Sequence, residues 1–448
     1  MDAPSILANT VGLRSPAVLA AVLTLACAAP EPPPPDRVLV VGLDGATNKL
    51  IDGLVEGGEL PHLAALAREG VRAAVRPERP ILSPRIWTTF ATGVEPQRHG
   101  VLDWVRRGPG GGLQLYSNLD RQTPAVWNIA SAGGRTVAVV NWLITQPPDR
   151  VNGVMISDHA VPGMTESRLP MARDIANQRF GPGGDEVVAP EIAIAYAHPP
   201  EWVERSRAIR AGERPALTQI SNPFTGSAWQ GHPVFDFLRG VYRDDELTVW
   251  TALEVEAALH PDLLMVYLPG VDRVSHLLWQ GIEIPADPPP GLTVHPAALR
   301  ARHRRALIDY YRFSDALLGR LIEGFGANDL VLVLSDHGFE ASSSPVTMPG
   351  IHESDDARDG ILYARGPGIA AGSRAGPIAD TDVLPTLLAA LGLPQAADLP
   401  GSVASFLRVA RPEAVASYAD VEVVRVESRA SDVDDEILEK LRTLGYID

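Results

Sequence analysis

Five short, unbroken apolar runs separated by helix-patterned segments constrain this 448-residue chain more than any other feature. They are RVLVVGL at 37–43, TVAVV at 136–140, LLMVYL at 263–268, LVLVLS at 330–335 and ILYA at 361–364. A strand with one wet face alternates apolar and polar residues; these runs do not, so each is expected to be buried on both faces. Between them LPHLAALAREG at 60–70 has helical spacing and a terminal glycine, and further helices are expected at 123–132, 247–260, 298–325 and 382–391. The alternation predicts an α/β fold: a mostly parallel central sheet with helices on both faces. Two stretches break the rhythm, one at about 162–243 rich in Pro, Gly and aromatics, and the Pro-dense IEIPADPPPGLTVHP at 282–296. Such insertions in α/β enzymes sit above the strand ends as a cap and shape a pocket. The body then spans 37–410, and the extension 411–448 closes with an amphipathic helix in DVDDEILEKLRTLGYID.

The charge balance narrows the partners. With 55 acidic against 39 basic residues the formal net charge is −16, and there is no extended Lys/Arg-rich block, so nucleic acid is not an expected partner. An acidic chain can still take a phosphorylated substrate, because bound cations invert the local field.

Cys27 is the sole cysteine, so no disulfide supports the fold. It follows an apolar run at 17–26, preceded by Arg14, and is followed by AAPEPPPP, an extended tether. The run is too short to span a membrane and suits the core of a signal peptide. The segment resembles a bacterial lipoprotein signal, in which Cys27 is lipidated and becomes the first mature residue. That implies a signal at 1–27, a tether at 28–36, and an exported protein anchored by lipid to the cell envelope, facing the periplasm or the exterior. An ordinary signal peptide cleaved near Ala29 is the alternative.

Three of the apolar runs deliver carboxylates at their C-terminal ends, where open α/β sheets place ligands. Asp44 follows the first, Asp272 lies just past LLMVYL, and Asp336 and His337 directly follow LVLVLS. One Asp before Gly is usually a turn or cap residue; the combination is more specific. DRVSH sets Asp272 and His276 four apart on one helical face, so both can reach one ion. GIHES adds His352. Three Asp and three His make two mixed oxygen and nitrogen sites, suited to zinc and less typical of magnesium. The other eight of the 11 histidines show no such pattern. In LSPRIWTTFATG, Pro84 suits the first position of a helix, which makes Ser83 the expected N-cap and Gly93 the stop. A serine there faces the positive end of the helix dipole, which favours an alkoxide and a bound phosphoryl group.

Taken in order, VVGLDGA, SPRIWTTFATGVEPQRHGV, VVNWLITQPP, VDRVSHLLW, LVLSDHGFE, GIHES and DVLPTLLAALGLP give the chain a resemblance to the alkaline phosphatase superfamily, in its type I phosphodiesterase/nucleotide pyrophosphatase-like branch. The resemblance runs from about residue 37 to 401. It implies one metal held by Asp272, His276 and His352, and another held by Asp44, Asp336 and His337 with the Ser83 oxygen as an added ligand. The family's spacing back from Gly93 also lands on Ser83. The implied chemistry is in-line attack of Ser83 on phosphorus, a phosphoseryl intermediate and its hydrolysis, on a phosphorylated small-molecule or envelope substrate. Nucleotide pyrophosphatases of this branch carry Asn three residues after the nucleophile. Ile86 stands there in this chain, and Arg85 is the nearest polar group able to bind a phosphate oxygen.

Three rival readings follow. A sulfatase needs Cys or Ser followed by Pro at the second position and Arg at the fourth; Pro84 and Arg85 stand at the first and second. A phosphotransferase acting on envelope glycan or lipid would use the same residues. A non-catalytic surface lipoprotein would not need all six ligands and Ser83.

Overall fold

The computed structural model describes residues 31–107, 113–158, 196–212, 214–225, 233–345 and 347–426. The expected lipidation site at Cys27, the cap residues from 159 to 195 and the C-terminal helix lie outside them. Among the described residues no helix is long and apolar enough to cross a membrane.

Among the described residues ten strands form one sheet: β1 (Val38–Leu43), β2 (Val71–Arg76), β3 (Val137–Val140), β4 (Gly153–Ile156), β5 (Ala197–His198), β6 (Leu263–Leu268), β7 (Leu330–Leu334), β8 (Gly360–Arg365), β9 (Ser373–Arg374) and β10 (Ile378–Ala379). Their order is β9-β2-β8-β7-β1-β6-β3-β4-β5, with β10 also on β2. The block β7-β1-β6-β3-β4 is parallel throughout; β8 runs antiparallel between β7 and β2, and β5 closes the far edge antiparallel to β4. The expectation of a mostly parallel sheet holds.

The unbroken apolar runs have the cause inferred for them. In β1, Leu39, Val41 and Leu43 enter one core, while Val38 and Val40 enter the other. Strand β6 divides likewise, with Leu264, Val266 and Leu268 on one side and Leu263, Met265 and Tyr267 on the other. Each buried aliphatic side chain contributes roughly 1.5–3 kcal/mol of gross transfer energy, so neither face tolerates a polar residue short of the strand tips. The helices Asn48–Glu56, Pro61–Glu69, Pro233–Leu259, Gly270–Leu278 and Ala297–Ile322 cover the first face. Ser83–Thr92, Val126–Ala132 and Val383–Ala390 cover the second.

Several boundaries differ from the sequence reading. The helix expected at 247–260 begins at Pro233 and runs 27 residues, through the end of the stretch taken as insertion. Its first turns carry Phe235, Phe237 and Leu238, buried in the first core, so aromatics that suggested a cap are core residues. Likewise β5 belongs to the main sheet. The strand β2 was missed because VRAAVR alternates buried with half-buried positions and lacks a bulky run. Residues 282–296 do form a connection, tied down where Gln280 Nε2 donates to the Thr293 carbonyl and His295 N donates to Gln280 Oε1.

Candidate metal centre

The parallel block aligns the C-terminal ends of β7, β1 and β6, neighbours in that order. Asp44 stands one residue past β1, and Asp336 and His337 lie two and three past β7. After β6 the chain turns at Pro269 into the helix Gly270–Leu278, whose first and second turns carry Asp272 and His276. His352 follows a short hairpin in which Glu340–Ala341 pairs with Gly350–Ile351. From the other face of the sheet comes Ser83. All six expected ligands and Ser83 are buried and converge on one point above the sheet.

Two triads result. Ligand atoms of Asp272, His276 and His352 all lie within 4.8 Å of one another, and so do those of Asp44, Asp336 and His337. Nε2 of His276 is 3.2 Å from Oδ1 of Asp272; Nε2 of His337 is 3.4 Å from Oδ1 of Asp44 and 3.5 Å from Oδ2 of Asp336. Donors at 2.0–2.1 Å from a tetrahedral zinc stand about 3.3 Å apart. These separations are those of atoms that can share an ion, although at 3.2 Å His276 and Asp272 are also within hydrogen-bond reach of each other. His337 Nε2 is also 3.8 Å from Asp272 Oδ1, and the rings of His337 and His352 stack at 3.8 Å, so the two sites adjoin.

The ring nitrogens are presented for coordination. Nδ1 of His276 donates to the Gly350 carbonyl at 2.8 Å and Nδ1 of His337 to that of Gly338 at 2.9 Å. A carbonyl can only accept, so in the neutral rings the proton sits on Nδ1 and the Nε2 lone pair faces the carboxylates. Asp44 Oδ2 accepts from the Tyr267 hydroxyl and Asp336 Oδ1 from Gly45 N. Asp44 Oδ1 and Asp336 Oδ2 are buried with no hydrogen-bond partner. Burial, joined by the charges of Asp336 and Asp272, pushes Asp44 well above the usual carboxylate range. Burial and the charge of Asp272 push Asp336 up to about 7. Asp272 is held low despite burial because His276 pairs with it, and His276 is raised by the same contact. Crowded, buried carboxylates with unbonded oxygens are stabilised by cations at their centre, and this donor set fits divalent ions.

Ser83 is not the N-cap. Leu82 is: its carbonyl accepts Arg85 N at 3.0 Å and Ile86 N at 3.2 Å, and no side chain caps the helix. Ser83 is the first helical residue and Pro84 the second, one position later than expected. The hydroxyl is therefore not engaged in capping and lies 3.5 Å from His337 Nε2. Gly93 ends the helix as expected, at φ 65°, where its N–H bonds the Thr89 carbonyl. Arg85 is buried, and its charged neighbours are Asp103, Glu78 and Asp380, not the metal-site carboxylates. Tyr267 was not singled out from sequence. Its phenol sits in an apolar strand and reads as core; only a polar tip one residue before the end of a strand that leads to a ligand could have signalled it.

A model of the type I phosphodiesterase/nucleotide pyrophosphatase family matches residues 38–383. The chain belongs to that family. With it comes the enzyme class, metal-dependent hydrolysis of phosphoric esters with two divalent ions. Solved structures similar to it include human ectonucleotide pyrophosphatase/phosphodiesterase 5, at 13% identity over 82% of this chain and 97% of that one, with a TM-score of 0.46. A putative sulfatase from Bacteroides thetaiotaomicron has 16% identity over 85% and 76%, with a TM-score of 0.45. Phosphonoacetate hydrolase from Sinorhizobium meliloti has 16% identity over 69% of this chain but only 58% of its own, with a TM-score of 0.39. Among curated proteins none matches the chain in sequence.

Proposed function

We propose that this family member cleaves phosphoric mono- or diesters by in-line attack of Ser83 Oγ on phosphorus, forming a phosphoseryl enzyme that water then hydrolyses. The observation that carries this reading is a buried serine hydroxyl, free of any capping role, at the N-terminal end of a helix and 3.5 Å from a ligand imidazole. The helix dipole favours negative charge on that oxygen and on a phosphoryl group beside it. Two divalent ions, zinc by the mixture of three imidazoles and three carboxylates, would supply Lewis acidity at the serine and phosphoryl oxygens. The competing hydroxyls on the same helix are committed elsewhere: Thr88 Oγ1 donates to the Pro84 carbonyl at 2.7 Å, and Thr89 Oγ1 is 3.1 Å from His99 Nε2. Arg85 is assigned to a phosphate oxygen of the substrate, since its buried Nε has no hydrogen-bond partner; Arg85→Ala should raise KM more than it lowers kcat. We further place the protein at a bacterial envelope, tethered by lipid on Cys27, on the strength of the apolar run before that residue and the proline-rich tether after it; an intact mass without lipid would refute this.

Acid quench during turnover of an aryl phosphate should trap phosphate on the Ser83 peptide. Ser83→Ala should lower turnover by orders of magnitude while folding stays intact, because the covalent route is gone and no cap is lost. Label on Thr88 or Thr89, or near-full activity in Ser83→Ala, would overturn the assignment.

A further inference from the structure

His352 is the one ligand carried neither by a strand tip nor by a helix, yet its turn is anchored from two directions. Glu340, three residues past His337, accepts from Glu353 N at 3.1 Å and from Ser354 N at 2.6 Å through Oε1, and from the Ser354 hydroxyl through Oε2. Ser354 Oγ in turn accepts from Asp356 N at 3.1 Å, closing the turn that follows. The second anchor comes from the loop leading into Ser83. Arg79 donates to the Glu353 carbonyl, and its Nη2 is 2.8 Å from Asp355 Oδ1; Arg358 Nε donates to the Pro77 carbonyl at 2.7 Å.

The two anchors differ in strength. Arg79 and Asp355 have side chains 43% and 83% exposed, and a surface ion pair of that kind is screened by solvent and contributes little. Glu340 makes charge-assisted bonds to two backbone N–H groups and a hydroxyl from a half-buried position, which is the stronger arrangement. Its own backbone is fixed by the hairpin register, Glu340 opposite Ile351. Its carboxylate thus reaches the two residues after His352 from a strand that begins three residues after His337.

From this geometry we infer that Glu340 is a positioning residue for the Asp272–His276–His352 ion site, fixing His352 through the backbone of Glu353 and Ser354. The inference rests on the two-ion reading above. Groups that orient ligands in this way change metal affinity by about 10- to 100-fold when removed.

The test measures zinc affinity by chelator competition in two backgrounds, Asp44→Ala, which leaves the Asp272–His276–His352 site, and His352→Ala, which leaves the other. Glu340→Ala should weaken zinc binding by about 10- to 100-fold in the first background and leave it unchanged in the second. Glu340→Gln keeps an oxygen for the two N–H groups and should recover most of the loss; Ser354→Ala should give a smaller loss of the same kind. The melting temperature of the metal-free protein should stay within a few degrees of its parent in every variant. Equal affinities with and without Glu340 overturn the assignment while leaving the two-ion reading standing. Equal losses in both backgrounds with a lowered metal-free melting temperature also overturn it, since Glu340 would then serve general stability. Failure of the unsubstituted protein to bind zinc at either site sinks the underlying reading and this one with it.

Discussion

The two triads meet at one centre but are built from different material. Asp44, Asp336 and His337 lie just beyond the tips of β1 and β7, neighbouring strands in the middle of the sheet whose residues are almost fully buried. Asp272 and His276 ride on a helix, and His352 on a turn after a two-residue hairpin. Displacing the first set means opening the sheet, whereas the second can shift with a helix end or a turn. Rigidity at one site is thus inherited from the core, and at the other it depends on local bonds such as those of Glu340.

Metal removal should expose that difference with the largest effect. A chelator should abolish activity and strip the ions in two phases, the faster one absent in His352→Ala, because a turn opens at lower cost than a sheet. A single phase would erase the distinction. The metal-free protein should also respond to pH in a defined direction. Asp44 and Asp336 have folded pKa values raised above the unfolded value of 3.8, Asp336 to about 7. Such groups hold more protons folded than unfolded between those limits, so stability falls as pH rises through that window. Zinc at a thousand times its dissociation constant adds about 4 kcal/mol. Chelation should therefore lower the melting temperature more at pH 8 than at pH 5, and the reverse order would contradict the carboxylate crowding.

The helix bearing Asp272 and His276 has its own support, and there a second pH effect is expected. Asp245 is buried, accepts from the Tyr310 hydroxyl at 2.7 Å, and lies so close to Gly270 that a Cβ there would come within 2.4 Å of its Oδ2. Burial raises it from 3.8 to about 7, against the lowering effects of Tyr310 and Arg273. A raised folded pKa means its favourable contribution is complete below about pH 4 and is lost as pH climbs towards 7. Asp245→Asn should be no more stable than the parent at pH 4 and gain steadily above it, by at most about 4 kcal/mol. Denaturant melts across that range decide it; a constant offset would show that Asp245 does not titrate there.

Much of this was legible in the sequence, and the limits have physical causes. Five of the six expected ligands stood out because they follow an apolar run or share a helical face, patterns that chain-local geometry generates; His352, in GIHES, has neither and was legible only through the family resemblance. Ser83 stands one helical position later than its pattern suggested, because Leu82 closes the helix through its carbonyl, a bond that any residue can make. The strand β2 and the true start of the helix at Pro233 were missed where burial comes from distant elements and local composition is ambiguous. Tyr267 acts on Asp44 from 223 positions away, and Glu340 on Glu353 and Ser354 across a hairpin, 13 and 14 positions on; neither contact leaves a helical or strand period in the sequence.

Tyr267 supplies the mildest and sharpest test of the comparison, because it serves the rigid site. Its hydroxyl donates to Asp44 Oδ2, and its ring is held by Trp87 at 4.9 Å and Trp142 at 6.4 Å between centroids. Trp87 lies one turn after Ser83 and sits so close above β1 that a Cβ on Gly42 would approach it to 2.5 Å. The aromatic cluster therefore fixes the phenol independently of the metal. Tyr267→Phe keeps the ring and removes one donor to a ligand carboxylate. If strand-tip ligands are held by the sheet, Asp44 should barely move, and zinc affinity at its site should fall by about 10-fold, the low end for loss of an orienting group. The Asp272–His276–His352 site should be unchanged, as zinc titration in the Asp44→Ala background would show. A loss approaching about 100-fold, or one at least equal to that measured for Glu340→Ala at the other site, would mean that the strand-tip site also depends on its local bonds, and the contrast between the two sites would fail.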